Sequence, residues 1–498
     1  MRRITIPFLL SVVLVAAGCV PPSITPSHAA ADWLRLESQH FDLSTDLALE
    51  DAQRAVVALE QNRAALLLAG WGKDSDDRIT SRAVVVVLRS RLQFEHYGAR
   101  RFQGLYSGSP RPTIFLAGPP EVWEQGTEVD GTTSVLRHEL VHQLAAGFYG
   151  RQPRWFSEGL AQFLETLTIS ADGSTTVLGR PNLVALRSYR TMRDVRVRDV
   201  LDWKADTASL SVGGLYGMSW LLVHWLVNTQ PEGFAAFQLA LRKGVEPSEA
   251  WSASFPGLAG KDLDQELQHY ARFGKFAEVP GRLPAIKVEQ ARKALTDADV
   301  RSTLALLAWG ASALRGEPAL RREARQEIDG ALALEPGNAL ALNLWRRDSE
   351  VPVGDAVARL RRQVGGRPDD GEAWLMLGEL LGDEAAVERE AALRRAVVLM
   401  PRNSRALNNL AWMLVGAQRG AEALPFAAKA VMLSPWDSAV ADTHAATLFA
   451  LGRCRDALST ERRALELVDE TATAQTLRPY TTKIREYEQA CGAPVAAP

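Results

Sequence analysis

His138-Glu139-Leu140-Val141-His142, followed by Trp155-Phe156-Ser157-Glu158-Gly159-Leu160-Ala161, is the stretch on which the reading of the first half of the chain turns. Both segments repeat apolar residues at helical spacing, which predicts helices over Thr132–Ala146 and Trp155–Thr168. Residues four apart share a helix face, so the imidazoles of His138 and His142 point the same way. At that spacing two ring nitrogens can take two corners of a zinc tetrahedron at about 2.0–2.1 Å, and Glu139 beside them can take a proton from water. A catalytic zinc site needs a third protein ligand and an open fourth corner. Glu158 is the best candidate, 16 positions after His142 and just inside a helix that starts after Pro153. Gly159 costs helix propensity, so it is expected to serve close approach of the two helices. The alternative for Glu158 is a carboxylate favoured by the helix dipole.

Upstream, Trp33–Thr45 has strand character and Asp46–Leu68 reads as a long helix. The Val84-Val85-Val86-Val87 run within Arg82–Leu88, and Thr113-Ile114-Phe115-Leu116 within Arg111–Ala117, read as two further strands. Pro112 places the second of them at a sheet edge. Downstream, helices are expected over Leu215–Leu226 and Phe234–Leu241. The apolar segment Leu215–Val227 is too short to cross a bilayer and contains His224, so it reads as a buried core helix.

At these residues the chain resembles the peptidase MA-like gluzincins, whose pattern is an H-E-x-x-H helix followed by a Trp-x-x-Glu-Gly-Leu-Ala helix. The resemblance covers roughly residues 33–274, including the opening Glu37-Ser38-Gln39-His40-Phe41. It implies an α+β zincin-like catalytic domain in which His138, His142 and Glu158 bind Zn2+ and Glu139 is catalytic. It also implies that a peptide substrate adds as a strand along Arg111–Ala117. The pattern often carries an acid four residues beyond the ligand Glu to orient a histidine, and here that position is Gln162. Its amide oxygen can accept an imidazole N–H less strongly than a carboxylate; Glu165, one turn on, is either a substitute or a solvent-facing acid. Tyr216 or His224 can supply the oxyanion donor. Tyr216 is favoured because the family tends to carry a Tyr there, with a Tyr at a core edge as its alternative; His224 reads as a core histidine.

Beyond Pro284 the composition shifts to Ala, Leu and Arg, and prolines recur at Pro336, Pro368, Pro401 and Pro435, with separations of 32, 33 and 34. Leu407, Leu410, Ala411, Leu414, Ala423, Ala427 and Ala430 alternate large and small positions between two of them, and Trp374, Leu377 and Gly378 do so one unit earlier. Ala324, Ile328 and Ala331 precede the first proline, while Ala457 and Ala464 continue past the last. This pattern resembles the tetratricopeptide repeat, about five units stacked as an all-α solenoid, and implies a protein partner.

At the other end, Arg2 and Arg3 precede an apolar stretch that ends in Ala16-Ala17-Gly18-Cys19. The ending resembles a bacterial lipoprotein box. It implies a signal peptide over 1–19, lipid on Cys19, a flexible tether over 20–31, and an address in the cell envelope on the periplasmic side. Ala16 stands where that box prefers Leu, and Ala29-Ala30 offers an ordinary cleavage site instead. The domains expected are thus a metallopeptidase unit over 32–284 and repeats over 285–498. An oxidising address permits a Cys454–Cys491 disulfide, the alternative being two buried thiols. A net charge of −2 gives no electrostatic footprint for nucleic acid. Two functions fit: a zinc peptidase whose repeats recruit substrate or partners, or an envelope scaffold with an inert zinc domain. Glu139 favours the first, because a structural metal site needs no base.

Overall fold

The computed structural model describes residues 26–72, 82–97, 104–107, 113–124, 134–149, 152–192, 194–203, 211–348, 353–435, 437–468 and 474–492. The signal-peptide and Cys19 expectations lie outside them, as does Pro112.

Six strands form the main sheet: β1 (Leu34–Glu37), β2 (Phe41–Thr45), β3 (Ala83–Leu88), β4 (Gly104–Ser107), β5 (Thr113–Ala117) and, far along the chain, β9 (Ala291–Lys293). Their order is β4-β5-β3-β2-β1-β9. β2, β3 and β5 run parallel, while β4, β1 and β9 pair antiparallel to their neighbours. The expected strand over Trp33–Thr45 is a hairpin of two. Thr113–Ala117 is not the edge: it lies between β3 and β4, and the four-residue β4 takes the outer position. A smaller sheet joins β6 (Thr168–Ile169), β7 (Thr175–Leu178) and β8 (Val279–Arg282).

The valine run is explained by burial on both faces of the main sheet, which removes the polar half of a strand's alternation. Val85 and Val87, with Leu43, Ile114 and Leu116, face helices Leu49–Trp71, Val135–Phe148, Arg154–Leu164 and Val212–Thr229. Val86 and Leu88, with Trp33, Phe115 and Ala117, face the other way. They share a core with Phe94 and Tyr97 of helix Arg91–Tyr97 and with Leu304, Ala308, Ile328 and Ala331. Those last four belong to the first helical pair of the C-terminal half, Asp297–Arg315 and Pro318–Leu334.

From there Ala339–Asp348 packs on the first pair and Val353–Gly366 on the helix that follows it, after which helices pair in succession: Gly371–Leu380 with Ala386–Leu399, Ser404–Gly416 with Gly420–Leu433, and Ser438–Ala450 with Cys454–Glu466. A last helix, Ala474–Gly492, closes the array, tied back by a Cys454–Cys491 disulfide with a Cα–Cα distance of 5.7 Å. Four packed hairpins, with Ala339–Asp348 and Val353–Gly366 as a degenerate unit between the first and second, form a solenoid of tetratricopeptide type. The sheet reaches past the expected boundary at 284, because β9 belongs to it. The expected tether is also folded from Pro26 onward. His28 Nε2 lies 2.9 Å from Glu327 Oε1, the Ala30 amide donates to Asp297 Oδ1 at 2.7 Å, and Ala30–Asp32 forms a 3-10 turn. Polar partners on the first hairpin order a segment whose composition alone reads as linker. Among the described residues no helix is long and apolar enough to cross a membrane. Helix Val212–Thr229 is a core helix with Trp220, Leu221 and Leu222 fully buried.

Candidate metal centre

Helix Val135–Phe148 starts at Ser134, whose hydroxyl accepts from the Arg137 amide and donates to the Trp123 carbonyl at 2.8 Å. That cap fixes the helix start and so the heading of His138 one turn later. Helix Arg154–Leu164 starts after Pro153 and is pinned by aromatic packing, with Trp155 stacked on Phe237 at 5.6 Å between centroids. Gly159 serves a close approach, though not to the histidine helix. A Cβ there would fall 2.7 Å from Val223 Cγ2 and closer still to the Ser219 carbonyl, so the contact is with helix Val212–Thr229.

These placements bring His138, His142 and Glu158 together, with one ligand atom from each lying within 4.8 Å of the others. The two Nε2 atoms are 3.1 Å apart, and Glu158 Oε2 lies 3.7 Å from His138 Nε2 and 3.6 Å from His142 Nε2. At those separations the carboxylate pairs ionically with the rings and is not hydrogen-bonded to them. Burial would raise the Glu158 pKa, but attraction to the two imidazoles outweighs it and holds the carboxyl well below the usual range. Burial likewise opposes charge on His138, yet Glu158 and Glu165 hold its pKa well above the ordinary value.

A buried carboxylate oxygen is normally hydrogen-bonded. Glu158 Oε2 is buried and has no hydrogen-bond partner, while the Nε2 atoms of both histidines converge on the same point. Two imidazole nitrogens and one carboxylate oxygen are the donor set of a catalytic zinc site, so the residues present fit the ion.

The far nitrogens of both rings are anchored. His138 Nδ1 lies 2.6 Å from Glu165 Oε2, and His142 Nδ1 lies 3.2 Å from Ser157 Oγ. An imidazole that donates from Nδ1 keeps its Nε2 lone pair for a metal. Glu165 is itself held, its Oε1 accepting from Asn182 Nδ2 at 2.6 Å and its backbone carbonyl accepting from Arg137 Nε at 3.1 Å. Gln162, the position where the family pattern sets an orienting acid, does not reach the histidines; its amide donates to the Tyr216 carbonyl at 3.3 Å. Helix Arg154–Leu164 ends before Glu165, and the turn there carries this carboxylate to His138. Ser157 escapes sequence reasoning; its only signal there is its place next to Glu158, on the turn facing His142.

Glu139 stands beside His138 and its charge favours the protonated ring. The Tyr216 hydroxyl lies between Glu158 and Arg154 and is pushed up to about 12 by burial first and then by Glu158, against the pull of Arg154. His224 stands elsewhere. It is fully buried, 2.9 Å from the Tyr270 hydroxyl and 3.2 Å from the Gly179 carbonyl, and burial lowers it to about 4, so it is a core histidine.

A family model described as "Protein of unknown function (DUF1570)" matches residues 132–246, a span that holds His138, Glu139, His142, Ser157, Glu158, Glu165 and Tyr216. None of the curated proteins compared matches the chain. Among solved structures the chain is similar to TTC0263, a thermophilic tetratricopeptide-repeat protein of Thermus thermophilus. That likeness is 15% identity and a TM-score of 0.29, over 38% of this chain and 99% of that one. MamA protein aligns at 17% identity and 0.26, over 40% and 98%. Yeast Tom70 aligns at 12% identity and 0.29, over 71% and 82%. The repeat assignment rests on the successive hairpins themselves.

Proposed function

We propose that the chain is a zinc-dependent peptidase of gluzincin type, carried to the cell envelope and held there by lipid on Cys19, with its solenoid engaging protein partners. The observation that carries the reading is the convergence of His138, His142 and Glu158, with a buried, otherwise unpartnered carboxylate oxygen, directly beside Glu139. Zinc held by these three side chains supplies a Lewis acid for the scissile carbonyl and makes water a stronger acid. Glu139 takes the proton from the attacking water and passes it to the leaving amine. Glu165 and Ser157 keep the rings oriented. Tyr216 donates its hydroxyl proton in a hydrogen bond to the developing oxyanion, a role its raised pKa suits because the group stays protonated. An extended substrate adds to β4, whose outer side no described strand covers, in place of Arg111–Ala117. The Cys454–Cys491 bond supports an oxidising, exported address.

The test is metal analysis of purified wild type and His142→Ala together with digestion of a broad peptide library by wild type and Glu139→Gln. Wild type should hold one zinc per chain and cleave, His142→Ala should lose the metal, and Glu139→Gln should keep it without cleaving. A metal-loaded wild type that cleaves nothing would sink the reading.

A further inference from the structure

We propose that Arg154 anchors a carboxylate of the substrate, either a free peptide C-terminus or an acidic side chain about two residues from the bond cleaved. The inference rests on the peptidase reading above and adds a substrate class to it.

Arg154 is the first residue of helix Arg154–Leu164, one turn before Glu158. Four residues at 1.5 Å each place it about 6 Å along the axis from the zinc ligand, on the same face. It is exposed, whereas Trp155 and Phe156 beside it are buried. Its guanidinium sits 4.4 Å over the Trp203 ring, and Trp203 meets the Tyr216 ring edge-on at 5.5 Å. Tyr216 in turn touches the field of both Arg154 and Glu158. An unbroken line of side chains therefore runs from the metal ligand to an exposed cation.

Among the described residues no carboxylate lies within ion-pair distance of Arg154. Stacking on Trp203 occupies one flat face of the guanidinium and reduces its rotamer freedom. The Tyr216 hydroxyl lies near one side of the guanidinium, and the exposed N–H groups can meet a carboxylate with charge-assisted bonds. An extended peptide advances about 3.3–3.6 Å per residue, so 6 Å corresponds to about two residues from a carbonyl held at the zinc ligands. A structural arginine would be expected to answer a neighbouring acid; this one is held by aromatic contact, and among the described residues no acid pairs with it.

The experiment uses the zinc-loaded full chain carrying Glu139→Gln, which separates binding from turnover. Three short labelled peptides are compared: one with an acidic side chain and an amidated end, one neutral with a free C-terminus, and one neutral and amidated. One of the carboxylate-bearing peptides should bind about tenfold tighter than the neutral amide, and which one identifies the source of the carboxylate. Adding Arg154→Gln should erase the difference, Arg154→Lys should retain only a smaller part of it because it keeps the charge without the stacked planar fork, and Arg154→Glu should turn the preference toward a lysine-bearing peptide. Equal affinities for all three peptides, or a preference that survives both Arg154→Gln and Arg154→Glu, would overturn the assignment. A binding preference without cleavage by wild type removes the peptidase reading and leaves the anion anchor. Cleavage without any preference does the reverse.

Discussion

Glu165 bears on His138 from the far side of the ring, 2.6 Å from Nδ1, and is itself fixed by Asn182. A charge-assisted partner of that kind raises ligand basicity and holds the ring in register, and its loss typically weakens metal affinity by about 10–100-fold. Glu165→Gln should therefore lose zinc to a competing chelator within that range, while Gln162→Ala should bind nearly as wild type does. The reverse order would reassign the orienting role. Gly159→Ala is a second case, because its methyl would press on the Ser219 carbonyl and Val223. It should cost about 1–3 kcal/mol in denaturant unfolding, and it should weaken zinc binding by displacing Glu158, its neighbour. An unfolding midpoint equal to wild type would show that the helices can part freely. His138, Glu139, His142 and Glu158 were legible in the sequence because helical spacing fixes which side chains share a face. Glu165 was ambiguous because it lies past a helix end, where the direction of the turn and not a period decides what it meets. Arg154 left no sequence signal beyond its position one turn before Glu158.

Among elements, long periodic helices and the all-valine strand declared themselves, while short strands did not. β4 and β9 have four and three residues and no alternation long enough to register, yet β4 displaces Thr113–Ala117 from the edge that Pro112 suggested. Helix Cys454–Glu466 makes a further prediction. Glu461 is fully buried there, with neither carboxylate oxygen hydrogen-bonded. Burial first, and then Asp442, push it up to about 8 against the opposing pull of Lys483. A carboxyl whose folded pKa exceeds its ordinary 4.5 binds its proton more tightly when folded. Its contribution is therefore intact at low pH and drains away as pH climbs from about 4.5 through about 8, a loss of up to about 5 kcal/mol. Thermal melts followed by circular dichroism should show wild type weakening across that window, and Glu461→Gln should flatten the slope and melt higher at pH 8. An unchanged slope in the variant would refute the argument.

At the scale of the whole molecule, the repeat period was legible from four prolines, but the seam between the halves was not. Composition changes near Pro284, whereas the physical boundary is blurred by β9 and by a core in which Trp33, Val86, Leu88, Phe94 and Phe115 pack against the first hairpin. Removing that hairpin uncovers the apolar surface that Trp33, Val86, Leu88 and Phe115 share with it beside helix Arg91–Tyr97, a contiguous patch of the kind soluble monomers rarely expose. A fragment ending at Pro284 should be insoluble or lack a cooperative melt, while one ending at Asp348 should melt cooperatively and bind zinc. A sharp melt of the shorter fragment would show the halves to be separable. The continuous core reaches Ala392, and beyond it the apolar packing breaks into smaller clusters around Leu410, Leu433 and Leu448. The solenoid is thus welded at its root to the main sheet through one shared core. Anything bound on the first hairpin would therefore keep one bearing relative to the sheet and the helices packed on it.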